Sequence, residues 1–366
     1  MEVMATPTIR TEFWRGKKVL LTGHTGFKGS WLGLWLSELG AIVTGVGLEP
    51  ASEPNLFSQL QLANRLQRHH IADIRDVKTL AAIAEDSKPE LVLHLAAQPL
   101  VRRSYEDPLG TWTTNVIGSL NLLEALKPLE NPCAVVMVTT DKVYANREWI
   151  YGYREPDRLG GHDPYSASKA GAEIAIASWR SSFCGELSHQ TPHLRIATAR
   201  AGNVIGGGDW AIDRLIPDVL RSLQDKEQVL VRNPHAIRPW QHVLEPLCGY
   251  LQLAECLYTQ GNTHAEEWNF GPNEEDARPV EWVVEHLCSY WGADASWTMQ
   301  TGDHPHEATF LKLDSSKARQ RLNWKPRWSI ETALKHITEW HQAWMNGQDV
   351  QKLCLKQIKE YLNFTV

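Results

Sequence analysis

Residues 18–30 read Lys-Val-Leu-Leu-Thr-Gly-His-Thr-Gly-Phe-Lys-Gly-Ser, and this stretch decides the fold. The apolar segment Lys18–Thr22 predicts a buried strand. Ser30–Leu39 predicts a helix that ends at Gly40, since glycine commonly follows the last helical residue. The loop between strand and helix carries three glycines, Gly23, Gly26 and Gly29.

Glycines at this place let the chain turn tightly and let a pyrophosphate approach backbone N–H groups at a helix N-terminus. The G-x-x-G-x-x-G spacing differs from the G-x-G-x-x-G of most dehydrogenases, but the strand–loop–helix context predicts a dinucleotide site. An acidic residue after the second strand holds the adenosine ribose in such sites. Glu49 is the near candidate, and an ordinary surface acid explains it equally well.

Two further observations concern the cofactor. Asp73 and Ile74 are candidates for contact with adenine, although Asp73 is equally consistent with a loop acid. No arginine directly follows the second strand, which favours NAD over NADP.

The pattern around the loop is a repeated alternation of strands and helices. Apolar runs predict strands at 41–46, 91–94, 134–139 and 195–199, and helices are predicted near 77–87, 109–127 and 166–183. This order is typical of a parallel sheet with helices on both faces. We therefore predict an α/β fold, a Rossmann-like doubly wound parallel sheet with a smaller C-terminal mixed α/β substrate lobe.

The regular alternation of predicted strands and helices changes after residue 202, and we place the domain boundary there. We predict an NAD-binding domain at 1–202, rejoined by 236–270, where Trp268-Asn269-Phe270 is predicted as a return strand. The substrate-binding lobe is predicted at 203–235 and 271–366. The segment after about 346 is either a terminal helix or a loosely held tail.

Composition narrows the class of protein. The chain has 366 residues and a net charge of −6, which argues against nucleic acid as the main partner. Its six cysteines form no C-x-x-C pair and are interpreted as reduced structural thiols. We find no 18-residue apolar run and no apolar signal segment, so we expect no membrane span and a cytoplasmic location. No metal-ligand spacing is found, and we expect no metal.

A second motif, Tyr165-Ser166-Ala167-Ser168-Lys169, predicts chemistry rather than binding. The spacing places Tyr165 and Lys169 on one helix face, where the lysine lowers the phenol pKa from ~10 and makes the tyrosine a base. Thr140, Asp141 and Lys142 follow an apolar strand, at the sheet edge where parallel sheets bind their ligands.

Together these motifs resemble the extended short-chain dehydrogenase/reductase superfamily over roughly residues 15 to 345. The resemblance also rests on His94-Leu95-Ala96-Ala97, Asn203 and Asn269-Phe270-Gly271-Pro272. It implies NAD as cofactor, with contacts from Gly23, His24, Gly26, Phe27, Lys28, Gly29, Ala96, Ala97, Asn115, Tyr165 and Lys169. For His24 and Lys28 two alternatives stay open: Lys28 neutralises the pyrophosphate, or both side chains crowd the cofactor.

Within the superfamily, Thr140-Asp141-Lys142 resembles the Thr-Asp-Glu of the nucleotide-sugar 4,6-dehydratases, with lysine where these have glutamate. The resemblance implies an internal redox dehydration of CDP-glucose that feeds deoxysugar and surface-polysaccharide (O-antigen) synthesis. Tyr165 and Thr140 then act at the 4-hydroxyl. Asp141 is the acid at C6, which needs a pKa raised from ~3.9, and Lys142 is the base at C5, which needs a pKa below ~10.4.

The substrate's diphosphate requires cations in the smaller lobe. Arg238 resembles the family's diphosphate-binding arginine, and Asn203 is expected to bond a phosphate or the sugar. Surface roles are equally consistent for the secondary candidates Arg214, Arg232 and His306.

Three alternatives remain at this point. They are a nucleotide-sugar 4-epimerase, a 4,6-dehydratase for another nucleotide (dTDP, GDP or UDP), and a non-catalytic NAD-sensing regulator. A homodimer or higher homo-oligomer, formed by the helices near 109–127 and 166–183, is also implied by the superfamily.

Overall fold

The computed structural model describes residues 9–184, 191, 193–292, 294–299 and 310–363. Its strands, in chain order, are Lys18–Thr22 (β1), Ile42–Gly47 (β2), Arg68–Ile71 (β3), Leu91–His94 (β4), Cys133–Val138 (β5), Leu194–Arg200 (β6), Val204–Ile205 (β7), Val229–Val231 (β8), Ile237–Pro239 (β9), Gln241–His242 (β10), Glu267–Asn269 (β11), Ala277–Pro279 (β12) and Trp297–Met299 (β13).

Fourteen α-helices connect and cover these strands in the described part of the chain. They are Thr11–Trp14 (α1), Phe27–Glu38 (α2), Leu56–Gln59 (α3), Val77–Ser87 (α4), Val101–Glu106 (α5), Pro108–Trp112 (α6), Gly118–Leu126 (α7), Pro164–Trp179 (α8), Leu215–Gln224 (α9), Leu244–Gln260 (α10), Val280–Trp291 (α11), Ser316–Arg321 (α12), Ile330–Met345 (α13) and Val350–Asn363 (α14). In the parts of the chain that the structure describes, every helix is too short or too polar to cross a membrane.

Seven parallel strands form the central sheet in the order β11-β6-β5-β4-β1-β2-β3. Alternate residues of the central strands face opposite sides, so each face of the sheet has its own core. One core lies under α2 and α10, and the other under α4, α7 and α8. The predicted return strand is confirmed, since Trp268 pairs with Ala199 in parallel register.

The element boundaries differ from the predicted ones in two instructive places. Helix α2 begins at Phe27, three residues before the predicted Ser30, so the third glycine of the loop lies inside the helix. The helix predicted at 109–127 is α6 and α7 joined by a π-helical turn, Thr113–Ile117.

A smaller lobe is built from three two-stranded sheets and their helices. The sheets pair β7 with β10, β8 with β13, and β9 with β12. Helices α9, α11 and α13 enclose a separate apolar core with these strands. This lobe starts directly after β6, so it lies at the carboxyl edge of the central sheet, where the Rossmann fold places its ligands.

The end of the described chain is a helix rather than a loose tail. Helix α14 contacts α2, and Tyr361 packs edge-on against Trp35 at a ring distance of 5.9 Å. Gln351 also donates from Nε2 to the Leu60 carbonyl (2.8 Å). The assignment of 271–366 to the substrate lobe stays a prediction. Helix α14, although it belongs to this range, contacts α2 of the dinucleotide-binding part.

The cysteines are free, as the sequence predicted. Five of the six thiols are buried and Cys256 is half-buried. They act as small apolar side chains in the cores.

Candidate active site

The glycine loop joins β1 to α2 and leaves no room for side chains. Gly23 has a φ of +75°, and a Cβ there would lie 2.7 Å from the amide nitrogen of Ala96. A Cβ on Gly29 would lie 2.0 Å from the Gly23 carbonyl oxygen. Because the N-cap residue of α2 is Gly26, no side chain of that residue covers the first N–H groups of the helix. These residues fit the pyrophosphate of a dinucleotide.

His24 lies against the sheet rather than in open solvent. Its ring is fully buried and packs edge-on against Phe57, with ring centroids 5.2 Å apart. A Cβ on Gly45 of β2 would lie 2.6 Å from the imidazole. Burial lowers the pKa of His24 to about 4, so the ring is neutral near pH 7. Its contact with the cofactor stays a prediction.

Lys28 faces the catalytic groups as well as the loop. Its ammonium lies 5.7 Å from the centre of the Tyr250 ring. Burial, together with the charges of Lys169 and Arg214, lowers the pKa of Lys28 to about 7, and the charge of Asp141 opposes this shift. Both alternatives for this lysine, neutralising or crowding the cofactor, stay open.

The strand that carries the predicted acid ends in a tight turn. Strand β5 is followed by a short 3₁₀ turn, Asp141–Val143, for which Thr140 is the N-cap. The Thr140 hydroxyl donates to Asp141 Oδ1 (3.0 Å), and the Lys142 amide donates to Thr140 Oγ1 (3.4 Å). The three predicted catalytic residues of this turn therefore lie side by side.

Asp141 has the environment that a proton donor needs. It is 1% exposed, and burial raises its pKa against the opposing effects of Lys142, Thr140 and Arg238. A Cβ on Gly202 would lie 1.8 Å from its Oδ2, so the backbone of Gly202 packs directly on the carboxyl group. A raised pKa keeps a carboxyl protonated closer to neutral pH, as acid catalysis requires.

The structure brings Tyr165 and Lys169 to the same place through helix α8. Lys169 Nζ donates to the Val138 carbonyl at the end of β5 (3.2 Å), and burial lowers its pKa to about 8. Burial raises the pKa of Tyr165 to about 12, while a hydrogen bond with Thr140 and the charge of Arg214 lower it. The largest opposing effect on this pKa is the hydrogen bond with Thr140, and the expected lowering of the phenol pKa by Lys169 stays a prediction.

Asn115 connects the loop after β4 to the catalytic helix. Its Oδ1 accepts from the Gln98 amide (2.8 Å), and its Nδ2 donates to Ser168 Oγ (2.9 Å). The Ala96 amide donates to Thr22 Oγ1 (3.2 Å), which fixes this loop, including Ala97, against the glycine loop. Asn115 thus positions both the predicted cofactor loop and α8.

The predicted adenosine contacts lie farther along the sheet edge. Glu49 is exposed two residues after β2. Asp73 accepts from Arg75 Nε (2.9 Å), and this hydrogen bond lowers the carboxyl pKa. Ile74 is 4% exposed, and its side chain contacts Gly118 in the core. Cofactor contacts by these three residues stay predictions.

Two of the predicted substrate arginines differ in their distance from the catalytic groups. Arg214 donates to Asp209 Oδ2 (2.9 Å), and its charge lowers the pKa of Tyr165, so it lies beside that phenol. Arg232 pairs with Asp213 Oδ1 (3.6 Å) on a more open surface.

Arg238 acts on Asp141 through its charge, and Asn203 directly follows the glycine that packs on the Asp141 carboxyl group. The charge of Arg238 lowers the pKa of Asp141, which places the guanidinium close to that acid. Asn203 has a φ of +48°, and its carbonyl accepts from the Gln241 amide (3.3 Å), which aligns β7 with β10. The remaining predicted residue, His306, lies outside the described residues.

A family model described as GDP-mannose 4,6 dehydratase matches residues 20–337. The chain belongs to this family. Among curated relatives of these dehydratases, the CDP-glucose 4,6-dehydratase of Salmonella typhimurium is 52% identical, with 98% of this chain and 99% of the relative covered. The dTDP-glucose 4,6-dehydratase of the same organism is 26% identical, with 90% and 95% covered. The predicted nucleotide-sugar 4,6-dehydratase, a hydro-lyase, is confirmed.

Solved structures confirm the fold of this dehydratase. The UDP-glucose-4-epimerase of Stenotrophomonas maltophila, solved with bound NAD and formylated UDP-arabinopyranose, matches with a TM-score of 0.78 at 21% identity. The match covers 91% of this chain and 100% of the epimerase chain. The UDP-glucuronic acid 4-epimerase of Bacillus cereus, in complex with UDP-glucuronic acid and NAD, matches with a TM-score of 0.74 at 22% identity, covering 89% and 99%.

Some residues of the site in this dehydratase were not predicted from the sequence. Tyr250 lies fully buried near Asp141 and Tyr165, which both raise its pKa, and Asp209 holds Arg214. Glu173 lies one helical turn after Lys169. Of these residues, only Glu173 could have been found from the sequence, since a residue four positions after a lysine lies on the same helix face.

Proposed function

We propose that this dehydratase converts CDP-glucose to CDP-4-dehydro-6-deoxyglucose and water, with NAD as an internal redox cofactor. The observation that carries the proposal is the grouping of a buried acid, Asp141, with Thr140, Lys142 and Tyr165 at the carboxyl edge of one parallel sheet. The choice of CDP rests on the relative from Salmonella typhimurium, whose printed name is CDP-glucose 4,6-dehydratase.

The first step is assigned to the phenol. Tyr165 takes the proton of the glucose 4-hydroxyl while Thr140 holds that oxygen. The neighbouring Thr140 and Arg214 lower the pKa of Tyr165 against the effect of burial. We propose that they share with Lys169 the task of stabilising the phenolate. Removing the 4-hydroxyl proton prepares the oxidation at C4.

The second step needs a base and an acid on adjacent carbons. Oxidation at C4 makes the C5 proton acidic, and Lys142 takes that proton. Asp141, whose pKa is raised by burial, gives a proton to the departing 6-hydroxyl, which leaves as water. Two groups from one tight turn can serve C5 and C6 because those carbons are bonded neighbours.

The glycine loop would hold NAD, whose chemistry there would be to take a hydride from C4 and to supply one to C6. Lys142 returns a proton to C5, so the sugar loses one water and the cofactor is regenerated. The backbone of Gly23, Gly26 and Gly29 holds its pyrophosphate, and Lys28 lies beside that loop. Lys169 holds the nicotinamide ribose. Further cofactor contacts are proposed for His24, Phe27, Glu49, Asp73, Ile74, Ala96, Ala97 and Asn115.

The substrate is proposed to lie between the sheet edge and the smaller lobe. Arg238 and Arg214 hold the diphosphate there, because a guanidinium donates to two oxygens at once. Asn203 bonds a phosphate or the sugar, and Arg232 reaches the outer part of the diphosphate. The burial of Trp210 and Trp240, at 8% and 5% exposed, favours packing over base stacking for both.

The test is direct. Purified protein with NAD is incubated separately with CDP-, dTDP-, UDP- and GDP-glucose in heavy water, and product masses are read. We expect loss of water from CDP-glucose alone, with one solvent deuterium at C5. Tyr165→Phe, which removes one oxygen, is the matched inactive control. Loss of water from another nucleotide sugar would correct the substrate, and stereochemical inversion without loss of water would indicate an epimerase.

We also propose a homodimer formed through α6, α7 and α8. Apolar side chains on this side of the molecule are exposed: Leu109 (79%), Ile174 (60%), Ile117 (48%) and Trp112 (41%). An apolar patch of this kind marks an interaction surface. Cytoplasmic location and a role in surface-polysaccharide synthesis stay predictions.

A further inference from the structure

Behind the catalytic residues lies a buried ion pair that the mechanism above does not use. Glu173 of α8 and Arg200 of β6 are each 3% exposed, and Arg200 Nη2 donates to Glu173 Oε2 (2.8 Å). Burial raises the pKa of Glu173, but Arg200 and two threonine hydroxyls outweigh it, so its pKa is lowered and it is ionised at neutral pH. A buried charge costs free energy unless every partner is present.

The partners of Glu173 come from two strands. Thr139 Oγ1 of the β5 end donates to Glu173 Oε1 (2.5 Å), and Thr198 Oγ1 of β6 donates to Oε2 (2.8 Å). Thr139 directly precedes Thr140 and Asp141, so the first bond reaches the backbone that carries the acid. The second bond reaches β6, which carries none of the proposed proton-transfer groups.

Glu173 also lies on the same helix face as the catalytic lysine. It follows Lys169 by four residues in α8, and its charge raises the pKa of Lys169, opposing burial. Within the described residues, the charge of Lys169 also acts on His94 of β4, whose pKa is lowered to about 3 mainly by burial, and on Lys28 of α2. Near neutral pH, Glu173 is thus the anion of this group.

We propose that Glu173 is a positioning residue that ties the helix carrying Tyr165 and Lys169 to the strand end carrying Thr140 and Asp141. The proton acceptor and the acid of the dehydration come from these two elements, and their spacing depends on the Thr139–Glu173 bond. The inference rests on the proposed function and goes further by assigning a residue that touches no substrate atom.

Two isosteric substitutions separate positioning from plain stability. Thr139→Val and Thr198→Val each remove one hydroxyl donor to the same carboxylate, at sites 6% and 2% exposed. We expect similar losses of thermal stability in both variants. We expect kcat with CDP-glucose to fall about tenfold or more in Thr139→Val, since small displacements of reacting groups are costly, and to stay within about twofold in Thr198→Val. Thr139→Ser, which keeps the donor, should restore the rate.

Equal kcat losses in the two valine variants, or an unchanged kcat in Thr139→Val, would overturn the proposal. The parent enzyme separates this result from the larger question, because inactivity of the unmodified protein with every nucleotide sugar counts against the proposed function instead.

A second measurement needs neither turnover nor a folded valine variant. Lysines are reductively methylated with carbon-13 and titrated by NMR, with Lys169→Arg used to assign the signal. Glu173→Gln keeps the shape of the side chain and removes its charge, so the pKa of Lys169 should fall below its value in the parent protein. An unmoved Lys169 pKa would mean that Glu173 is a structural residue alone.

Discussion

A single methyl group at Gly202 should block one half-reaction and leave the other. The Cβ of Gly202→Ala would lie 1.8 Å from Asp141 Oδ2 and 2.0 Å from its Cγ. Non-bonded atoms settle near ~3.5 Å, so the carboxyl group has to retreat by more than about 1 Å. A displacement of ~1 Å at a reacting group costs about 100-fold in rate, or ~2.7 kcal/mol in the activation barrier. The three atoms nearest to the added methyl group all belong to the Asp141 carboxyl group.

The assay therefore follows the steps separately. Oxidation at C4 is read from nicotinamide absorbance in a single turnover, and loss of water is read from product mass. We expect Gly202→Ala to retain the first signal and to lose dehydration about 100-fold. Gly33→Ala is the matched control, because the atoms nearest to its methyl group are the ends of two side chains, Leu62 (2.9 Å) and Leu21 (3.5 Å). Normal dehydration by a folded Gly202→Ala protein would refute the assignment of Asp141 as the acid, and equal loss of both steps would refute its restriction to C6.

Three further predictions follow from the structure. Lys142→Met should abolish deuterium uptake at C5 while C4 oxidation stays measurable, and uptake at the parent rate would remove Lys142 as the base. Glu245 accepts from the Trp328 amide (2.7 Å) and the Tyr361 hydroxyl (2.8 Å), yet burial raises its pKa to about 7. Its contribution to the free energy of unfolding is full below its ordinary pKa of 4.5 and is lost as pH rises through 7. In Glu245→Gln, the free energy of unfolding measured in urea should therefore change less with pH across that range. A pH dependence equal to that of the parent protein would contradict this. Ile174→Glu should convert the proposed dimer to a monomer in light scattering with an unchanged melting temperature, whereas Ile212→Glu, on another exposed apolar side chain (71%), should leave the dimer intact.

Buried strands were predictable from the sequence because their signal is local. Leu91–His94 was predicted with its observed limits, since all four residues are buried and the first three form a continuous apolar run. Strand β3, Arg68–Ile71, gave no such signal, because it is a sheet edge held by backbone pairing to β2 with mostly exposed polar side chains. Helix α10 was missed for the opposite reason, since it is buried on nearly every side and has little amphipathic periodicity.

The candidate site likewise has residues that the sequence predicts and residues that it does not. The end of β5 and the Tyr165–Lys169 helix were predictable, since parallel strands bring their carboxyl ends to one edge. The raised pKa of Asp141 was expected from its role, and its cause is burial. Tyr250 and Gly202 were not predictable, because their nearness to Asp141 depends on how distant segments pack.

The contact of α14 with α2 sets an order of events during synthesis. The segment Phe27–Glu38 leaves the ribosome early, while the residues that cover Trp35 and support its neighbours, among them Tyr361 and Gln351, are made hundreds of residues later. Until then this apolar helix has an uncovered flank, and such surfaces are what chaperones bind and what drives aggregation. A nascent chain stalled before residue 350 would therefore be a chaperone client even with its nucleotide-binding sheet already complete.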